Sequence, residues 1–267
     1  MPDQPPRALF FDTFGTVVEW RSCVTKALRA ASSQVLTNPP QDRTIPTSVL
    51  DRASAYSEAD WLSLAEAWRR SYGIFTRTFD PSTKFISIDQ HHYTALKNLL
   101  EERGILPLFN DAELWDLTFA WHRLDPWADS ARGLALLNTQ FVTSTLSNGN
   151  VSLLEDLKEH GSLPFAHLIS SEHFGAYKPS SKVYLGAAEK LGLKPEQCAL
   201  VAAHLRDLRA AKDCGFQAVF VERELEEDWD VEEVAKAKAD GWVDIWVDQD
   251  TGGFIEVARR FGIQEEQ

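Results

Sequence analysis

The chain has 267 residues, 44% hydrophobic and 25% charged, the balance of an ordinary folded protein with room for one large domain or two modest ones. Its 27 Lys and Arg against 40 Asp and Glu leave a formal net charge of −13 with no concentrated basic patch, which excludes nucleic acid as a partner. No apolar run reaches the ~18 residues of a membrane span, and the opening MPDQPPR carries no apolar segment of the secretory kind. The three cysteines, Cys23, Cys198 and Cys214, are too scattered for a disulfide framework or a CxxC metal site, so a cytoplasmic protein that engages no membrane is expected.

The first predicted element is ALFFD (residues 8–12), a short apolar run of strand type that ends on a carboxylate and runs into Gly15 and Thr16. After it the pattern changes. Residues 47–79, 88–103 and 111–122 have helical period and carry Trp61, Trp68, Trp115 and Trp121, with no convincing strand. Ser87 with Gln90, and Asn110 with Glu113, have the spacing of capping boxes. TNPPQDRTIP (37–46) is a loop. An all-helical block inserted after the first strand is the expectation, residues 23–126, with residues 1–22 and 127–267 forming the other domain.

From there short apolar runs alternate with amphipathic stretches. FVTSTL (141–146), HLISS (167–171), CALVAA (198–203), AVFVE (218–222) and VDIWV (243–247) read as buried strands. Helices are predicted at 151–159, 181–191, 205–214, 231–239 and 253–261. The alternation predicts an α/β fold, a parallel sheet flanked by helices on both faces. The acidic run ERELEEDWDVEE (222–233) reads as a solvated turn and helix start.

In open sheets of this kind ligands bind beyond the carboxyl ends of the strands. Four predicted ends carry a coherent set: Asp12, Thr13, Phe14 and Thr16 after the first; Ser147, Asn148 and Gly149 after FVTSTL; Lys178 in EHFGAYKP after HLISS; and His204 and Asp207 after CALVAA. A carboxylate at a strand end is commonly a helix cap, Ser-Asn-Gly a common turn, and a lone Lys-Pro uninformative. Their occurrence together, in this order, is the signal.

The motifs FFDTFGT, LSNGN, YKP and VAAHLRD, in this order, resemble those of the haloacid dehalogenase superfamily over nearly the whole chain. The resemblance implies a Rossmann-like core with an inserted helical cap and Asp12 as nucleophile. Phosphatases of that superfamily need an acid two residues after the nucleophile and an acid at the head of the last motif, the latter for a metal. Here those positions are Phe14 and Ala203, too few oxygen ligands for a hard divalent cation. The pattern DTFGT is instead similar to that of the metal-independent (S)-2-haloacid dehalogenase branch, which uses no cofactor and acts on small halogenated carboxylates.

Carried over residue by residue, the resemblance makes Thr16 the orienter of Asp12, and Ser147 and Asn148 binders of the substrate carboxylate. Lys178 becomes the charge partner, Tyr184 a functional tyrosine, and Asp207 the group that activates water. Thr13 and Phe14 join the substrate contacts. An arginine following a tryptophan in the cap is matched by Trp68-Arg69, with Arg70 and Arg21 as competitors for stabilising the departing halide. The family also admits a homodimer. The chain departs from the pattern at Ala202 and His204, where that branch carries Ser and Asn; His204 stands beside Asp207 and is counted in the site. A phosphatase with an altered metal site, and a catalytically silent binding protein, are the rival readings. His91-His92 is read as cap packing, since adjacent helical residues point in different directions.

Overall fold

Ala8–Phe11 (β1) is apolar throughout, and all four side chains are fully buried. A strand of this composition needs cover on both faces, which a parallel sheet with helices on either side provides. The computed structural model, which describes residues 5–264, places β1 inside a six-stranded parallel sheet. Val18–Glu19 (β2) and Asp125–Pro126 (β3) form a separate two-residue antiparallel ribbon. The remaining strands are β4 (Val142–Ser147), β5 (His167–Ser170), β6 (Cys198–Ala202), β7 (Gln217–Val221) and β8 (Ile245–Val247), in the spatial order β5-β4-β1-β6-β7-β8.

Five α-helices fall between the two strands of the ribbon: α1 (Arg21–Thr37), α2 (Thr47–Ser54), α3 (Glu58–Thr78), α4 (Ile88–Glu102) and α5 (Asp111–Thr118). Six more belong to the sheet: α6 (Ser130–Leu137), α7 (Val151–His160), α8 (Ser181–Lys190), α9 (Leu205–Asp213), α10 (Val231–Asp240) and α11 (Gly253–Arg260). Successive strand residues point to opposite faces. Phe10 accordingly meets Phe216 at 5.6 Å between ring centroids, in a cluster with Tyr184 of α8 and Leu208 of α9. Phe11, on the other face, meets Phe254 of α11 at 5.1 Å and Phe165 at 5.6 Å. The buried hydroxyls of β4 find partners: Thr145 donates to the Ile169 carbonyl at 3.1 Å and accepts from the Ile169 N–H at 2.9 Å.

The contacts divide the chain into two compact units. The sheet unit runs to Glu19 and resumes at Asp125, and it also claims Pro81–Phe85, where Phe85 stacks on Tyr177 at 5.0 Å. The helical unit is Trp20–Asp80 with Ile86–Leu124. Its interior is aromatic: the His92 ring lies 4.5 Å over Trp121 and 5.7 Å from Tyr72, and Trp68 donates its indole N–H to the His92 carbonyl at 3.0 Å. His91 stacks on Phe75 at 4.2 Å. The histidine pair is packing, as its helical spacing implies.

One local expectation needs correction, and two elements have no predicted counterpart. The predicted helical stretch 47–79 breaks after Ser54, because Ser57 caps a new helix in a reciprocal box with Asp60. The ribbon was not anticipated, since two residues per strand are too few to show alternation. Helix α6 likewise has no counterpart among the predicted elements. Both expected capping residues do accept from the N3 amide, Ser87 from Gln90 at 3.2 Å and Asn110 from Glu113 at 2.9 Å. Among the described residues no helix is long and apolar enough to cross a membrane.

Candidate active site

Strand β1 delivers Asp12 at its carboxyl end, where the Asp12 N–H is still held by the Val201 carbonyl of β6 at 3.1 Å. The next turn is tight. Gly15 takes φ of +80°, a conformation that side chains disfavour, and Thr16 is thereby returned toward Asp12. Thr16 Oγ1 donates to Asp12 Oδ2 at 2.9 Å and accepts from the Ala203 N–H at 2.9 Å. One hydroxyl thus ties the loop after β1 to the end of β6.

Lys178 approaches from the loop after β5. Its Nζ lies 2.9 Å from Asp12 Oδ1 and 2.5 Å from Asp207 Oδ2, a buried ammonium between two carboxylates. Asp207, in the first turn of α9, also accepts from the Tyr184 hydroxyl at 2.5 Å. His204, one residue before α9, sets Nδ1 3.1 Å from Asp12 Oδ2. Asp12, Thr16, Lys178, Tyr184, His204 and Asp207 therefore form one connected network in the sheet unit.

The electrostatics follow from that network. Burial by itself would raise the Asp12 carboxyl, but the Lys178 charge and the bond from His204 outweigh it and hold the group far below the usual carboxylate range. Burial would likewise lower Lys178, and the charges of Asp12 and Asp207 reverse this and hold it above the ordinary lysine range. Burial opposes protonation of His204 too, yet its bonds to Asp12 and Glu226 push it up to about 10. Tyr184 is raised well above its normal value by burial and by Asp207. Asp12 is a carboxylate at neutral pH, faced by two fixed cations.

Other expected site residues serve differently. Asn148 Oδ1 accepts from the Lys178 N–H at 2.8 Å and from Ser171 Oγ at 2.7 Å, and Nδ2 donates to the Lys178 carbonyl at 3.4 Å. Its side-chain amide holds the lysine backbone in place. Ser147 accepts from the Gly149 N–H at 3.2 Å and shapes that turn. Phe14 is buried, and a Cβ added at Gly149 would stand 3.4 Å from its ring, so it packs on the 147–149 turn. The buried Thr13 hydroxyl has no hydrogen-bond partner.

In the helical unit Trp68 is fully buried in the aromatic core, which makes it a packing residue and not the expected substrate contact. Arg69 holds its guanidinium 4.6 Å from the Tyr72 ring centroid and 5.8 Å from that of Trp20. Its competitors are less suited, since Arg21 pairs with Glu66 at 2.5 Å and Arg70 is exposed.

The acidic run after β7 is the largest surprise. Arg223 and Glu226 are buried, not solvated. Arg223 makes a bidentate pair with Asp129 at 2.6 and 2.8 Å and donates Nε–H to the Thr16 carbonyl at 3.1 Å. Glu226 Oε2 lies 3.5 Å from His204 Nε2. Sequence reasoning missed both, because charge composition averages over a run and does not say which members turn inward.

A divalent metal does not fit this donor set. The position that would supply the acidic ligand at the end of β6 is Ala203, and both oxygens of Asp12 are already met by Lys178, His204 and Thr16.

The model of the haloacid dehalogenase-like hydrolases matches residues 6–215. The chain belongs to that family. Among hydrolases of this family, the chain is 26% identical over 222 residues to (S)-2-haloacid dehalogenase 1 of Pseudomonas sp. (strain CBS-3), covering 82% of this chain and 86% of that one. Among solved structures it resembles the defluorinating L-2-haloacid dehalogenase Rha0230, with 31% identity and a TM-score of 0.78 over 96% of this chain and 94% of the other. The L-2-haloacid dehalogenase PA0810 is similar at 30% identity and a TM-score of 0.74, over 96% and 99%.

Proposed function

We propose that this chain hydrolyses short (S)-2-haloalkanoic acids to 2-hydroxyalkanoic acids and halide, without a metal, through an ester on Asp12. The observation that carries the reading is the environment of that carboxylate: ionised, buried, met by two cations and one hydroxyl, and followed two residues later by a buried Phe14. A phosphatase would need a proton donor at that position to expel an alcohol. Halide leaves without one, and an aspartate displaces it from C2 directly.

In this reading Asp12 attacks C2 from the face opposite the halide, and the configuration at C2 inverts. Lys178 offsets the charge that an anionic substrate brings toward Asp12 and Asp207. A cationic donor for the halide is the role that the family resemblance gives to Arg69, whose guanidinium is seated on aromatic faces in the helical unit. Water then attacks the Asp12 carbonyl carbon with Asp207 as base, and Tyr184 and Lys178 keep that carboxylate aimed. The oxygen of the product hydroxyl comes from Asp12.

The test is halide release from chloroacetate and from 2-chloropropionate, each with and without a chelator. Release that resists the chelator and is lost in Asp12→Asn is the expected result. No halide from any 2-haloacid, with magnesium-dependent phosphate release from phosphate esters, would replace this reading with the phosphatase one.

A further inference from the structure

Esterification changes the charge balance of this site, and one buried residue outside the family motifs answers it. His204 is set between two carboxylates, with Nδ1 3.1 Å from Asp12 Oδ2 and Nε2 3.5 Å from Glu226 Oε2. A neutral imidazole would turn a lone pair toward one of them, so both nitrogens carry protons. While Asp12 is ionised it helps to hold that charge. Once Asp12 becomes an ester its negative charge is gone, and the imidazolium must be held by something else.

We propose that Glu226 is a positioning residue that keeps His204 cationic through the ester stage, so that His204 stabilises the oxyanion formed when water attacks the Asp12 ester. The proposal rests on the dehalogenase reading above.

The geometry of the segment supports the assignment. Glu226 is only 4% exposed at its side chain, in a stretch whose composition would place it in water. The nucleophile loop leaves room for it: a Cβ at Gly15 would stand 1.9 Å from Glu226 Oε2, so any side chain there would displace the carboxylate. The flanking residues fasten the segment on both sides. Arg223 binds the Thr16 carbonyl, and Glu227 accepts from the Leu205 N–H at 2.7 Å and from the Trp229 N–H at 2.9 Å. The charged and titratable groups around His204 are therefore Asp12 from the β1 loop, with Lys178 and Asp207 beyond it, and Glu226 and Glu227 from the segment after β7.

Asp12 Oδ1 forms the bond to C2, and halide leaves with the electron pair of the carbon–halogen bond. Oδ2, already held by Thr16 and His204, becomes the ester carbonyl oxygen. Water adds to the Asp12 carbonyl carbon and gives one proton to Asp207, while the carbonyl electron pair moves onto Oδ2, where both donors meet it. Collapse breaks the bond to the oxygen now attached to C2, and that oxygen takes the proton from Asp207 to give the hydroxy acid. Asp12 is left as a carboxylic acid and releases its proton to solvent.

The test is Glu226→Gln in the full chain, with Glu226→Asp beside it, by rapid quench with 2-chloropropionate and by mass spectrometry of the quenched protein. Glu226→Gln is expected to release about one halide per enzyme at close to the wild-type rate, and then to turn over up to roughly 100-fold more slowly, the scale of losing one oxyanion donor. The Asp12 peptide should carry the substrate as an ester through its C2, a 1-carboxyethyl group, and the alkaline limb of ester hydrolysis should move to lower pH. Glu226→Asp should recover part of the steady rate. Equal loss of the burst and of the steady rate, or an unchanged steady rate with no adduct, would overturn the proposal. If the wild type releases no halide, the dehalogenase reading fails instead. The pair is then read by imidazole NMR: His204 charged well above neutral pH and titrating lower in Glu226→Gln is expected, and a neutral wild-type His204 at pH about 8 refutes it.

Discussion

Lys178→Met removes the one ammonium shared by Asp12 and Asp207, at 2.9 and 2.5 Å, while keeping much of the apolar stem. Asp12 and Asp207 are left facing one another across the space it filled, and His204 is left to oppose the charge on Asp12. Breaking a buried pair from one side costs about 3–5 kcal/mol. For a chain of this size each kcal/mol is worth roughly 2–4 °C, so the melting temperature near neutral pH should fall by roughly 6–20 °C. The pH dependence is the sharper part. In the variant, burial and mutual repulsion raise the carboxylates, so the folded form takes up a proton before the unfolded form does and gains stability as pH falls through that raised value. The wild type gains nothing comparable, because Asp12 is held far below the usual carboxylate range and its contribution is lost only on acidification through that lowered value. The difference between the two proteins should therefore be wide at about pH 7.5 and narrow at about pH 5. Calorimetric melting at both values checks it. A difference of the same size at both, or no loss of melting temperature at all, would refute the account of Lys178 as the charge partner of this pair.

Thr16→Val deprives Asp12 Oδ2 of a donor and the buried Ala203 N–H of its acceptor. It should lower kcat by roughly 10²–10³-fold and stability by about 1–3 kcal/mol, with Thr16→Ser close to wild type in steady-state halide assays and urea melts. Arg223→Met strands Asp129 and frees the Thr16 carbonyl; urea unfolding should show a loss of about 3–5 kcal/mol, and less than the sum of the single losses when Asp129→Asn is added. His92 is buried with both ring nitrogens unpartnered, and burial, then neighbouring charges, hold it well below its normal value. The unfolded chain therefore binds a proton that the fold refuses, and stability should drop by up to about 1.4 kcal/mol per pH unit as pH falls below about 6.5. His92→Phe, which suits the aromatic stack on Trp121, should make that slope shallower in melting curves taken across the same range, leaving the share of His91, which burial pushes down to about 4.

What was legible in the sequence was whatever depends on short-range chemistry. An apolar run that ends on Asp12, a tight Gly-Thr turn and a lysine before proline each announce themselves within a few residues, and the strand ends of a parallel sheet bring them together. What was not legible depends on where distant chain returns. Asn148 reads as a substrate binder until the lysine loop arrives and takes its amide, 30 residues on. Trp68 next to Arg69 reads as site-facing, but α3 presents neighbouring residues in different directions and the indole points into the helical core. The break before Glu58 did have a local signal, Ser57 three residues ahead of Asp60, which continued helical periodicity concealed. For Glu226 the usable signal lay elsewhere, in Gly15: a glycine where the turn and a close neighbour both forbid a side chain.

Phe14, Ala203 and His204 make sense together and not singly. A metal-dependent member of the family brings one divalent cation to the nucleophile and an acid beside it. Here the acid positions are Phe14 and Ala203, and two monovalent cations, Lys178 and His204, stand against opposite oxygens of Asp12. These charges are tethered by covalent bonds and by Asp207 and Glu226, so they neither leave with product nor bind a phosphate in competition with the nucleophile. Their cost is that they also damp the nucleophilicity of Asp12. In the proposed reaction, displacement of a good leaving group from carbon tolerates that damping, and hydrolysis of the resulting ester benefits from His204, now acting with Thr16 on the oxyanion developing at Oδ2. In the proposed reaction the site is thus weighted toward the second half, in which an alcohol must be released without a general acid at position 14.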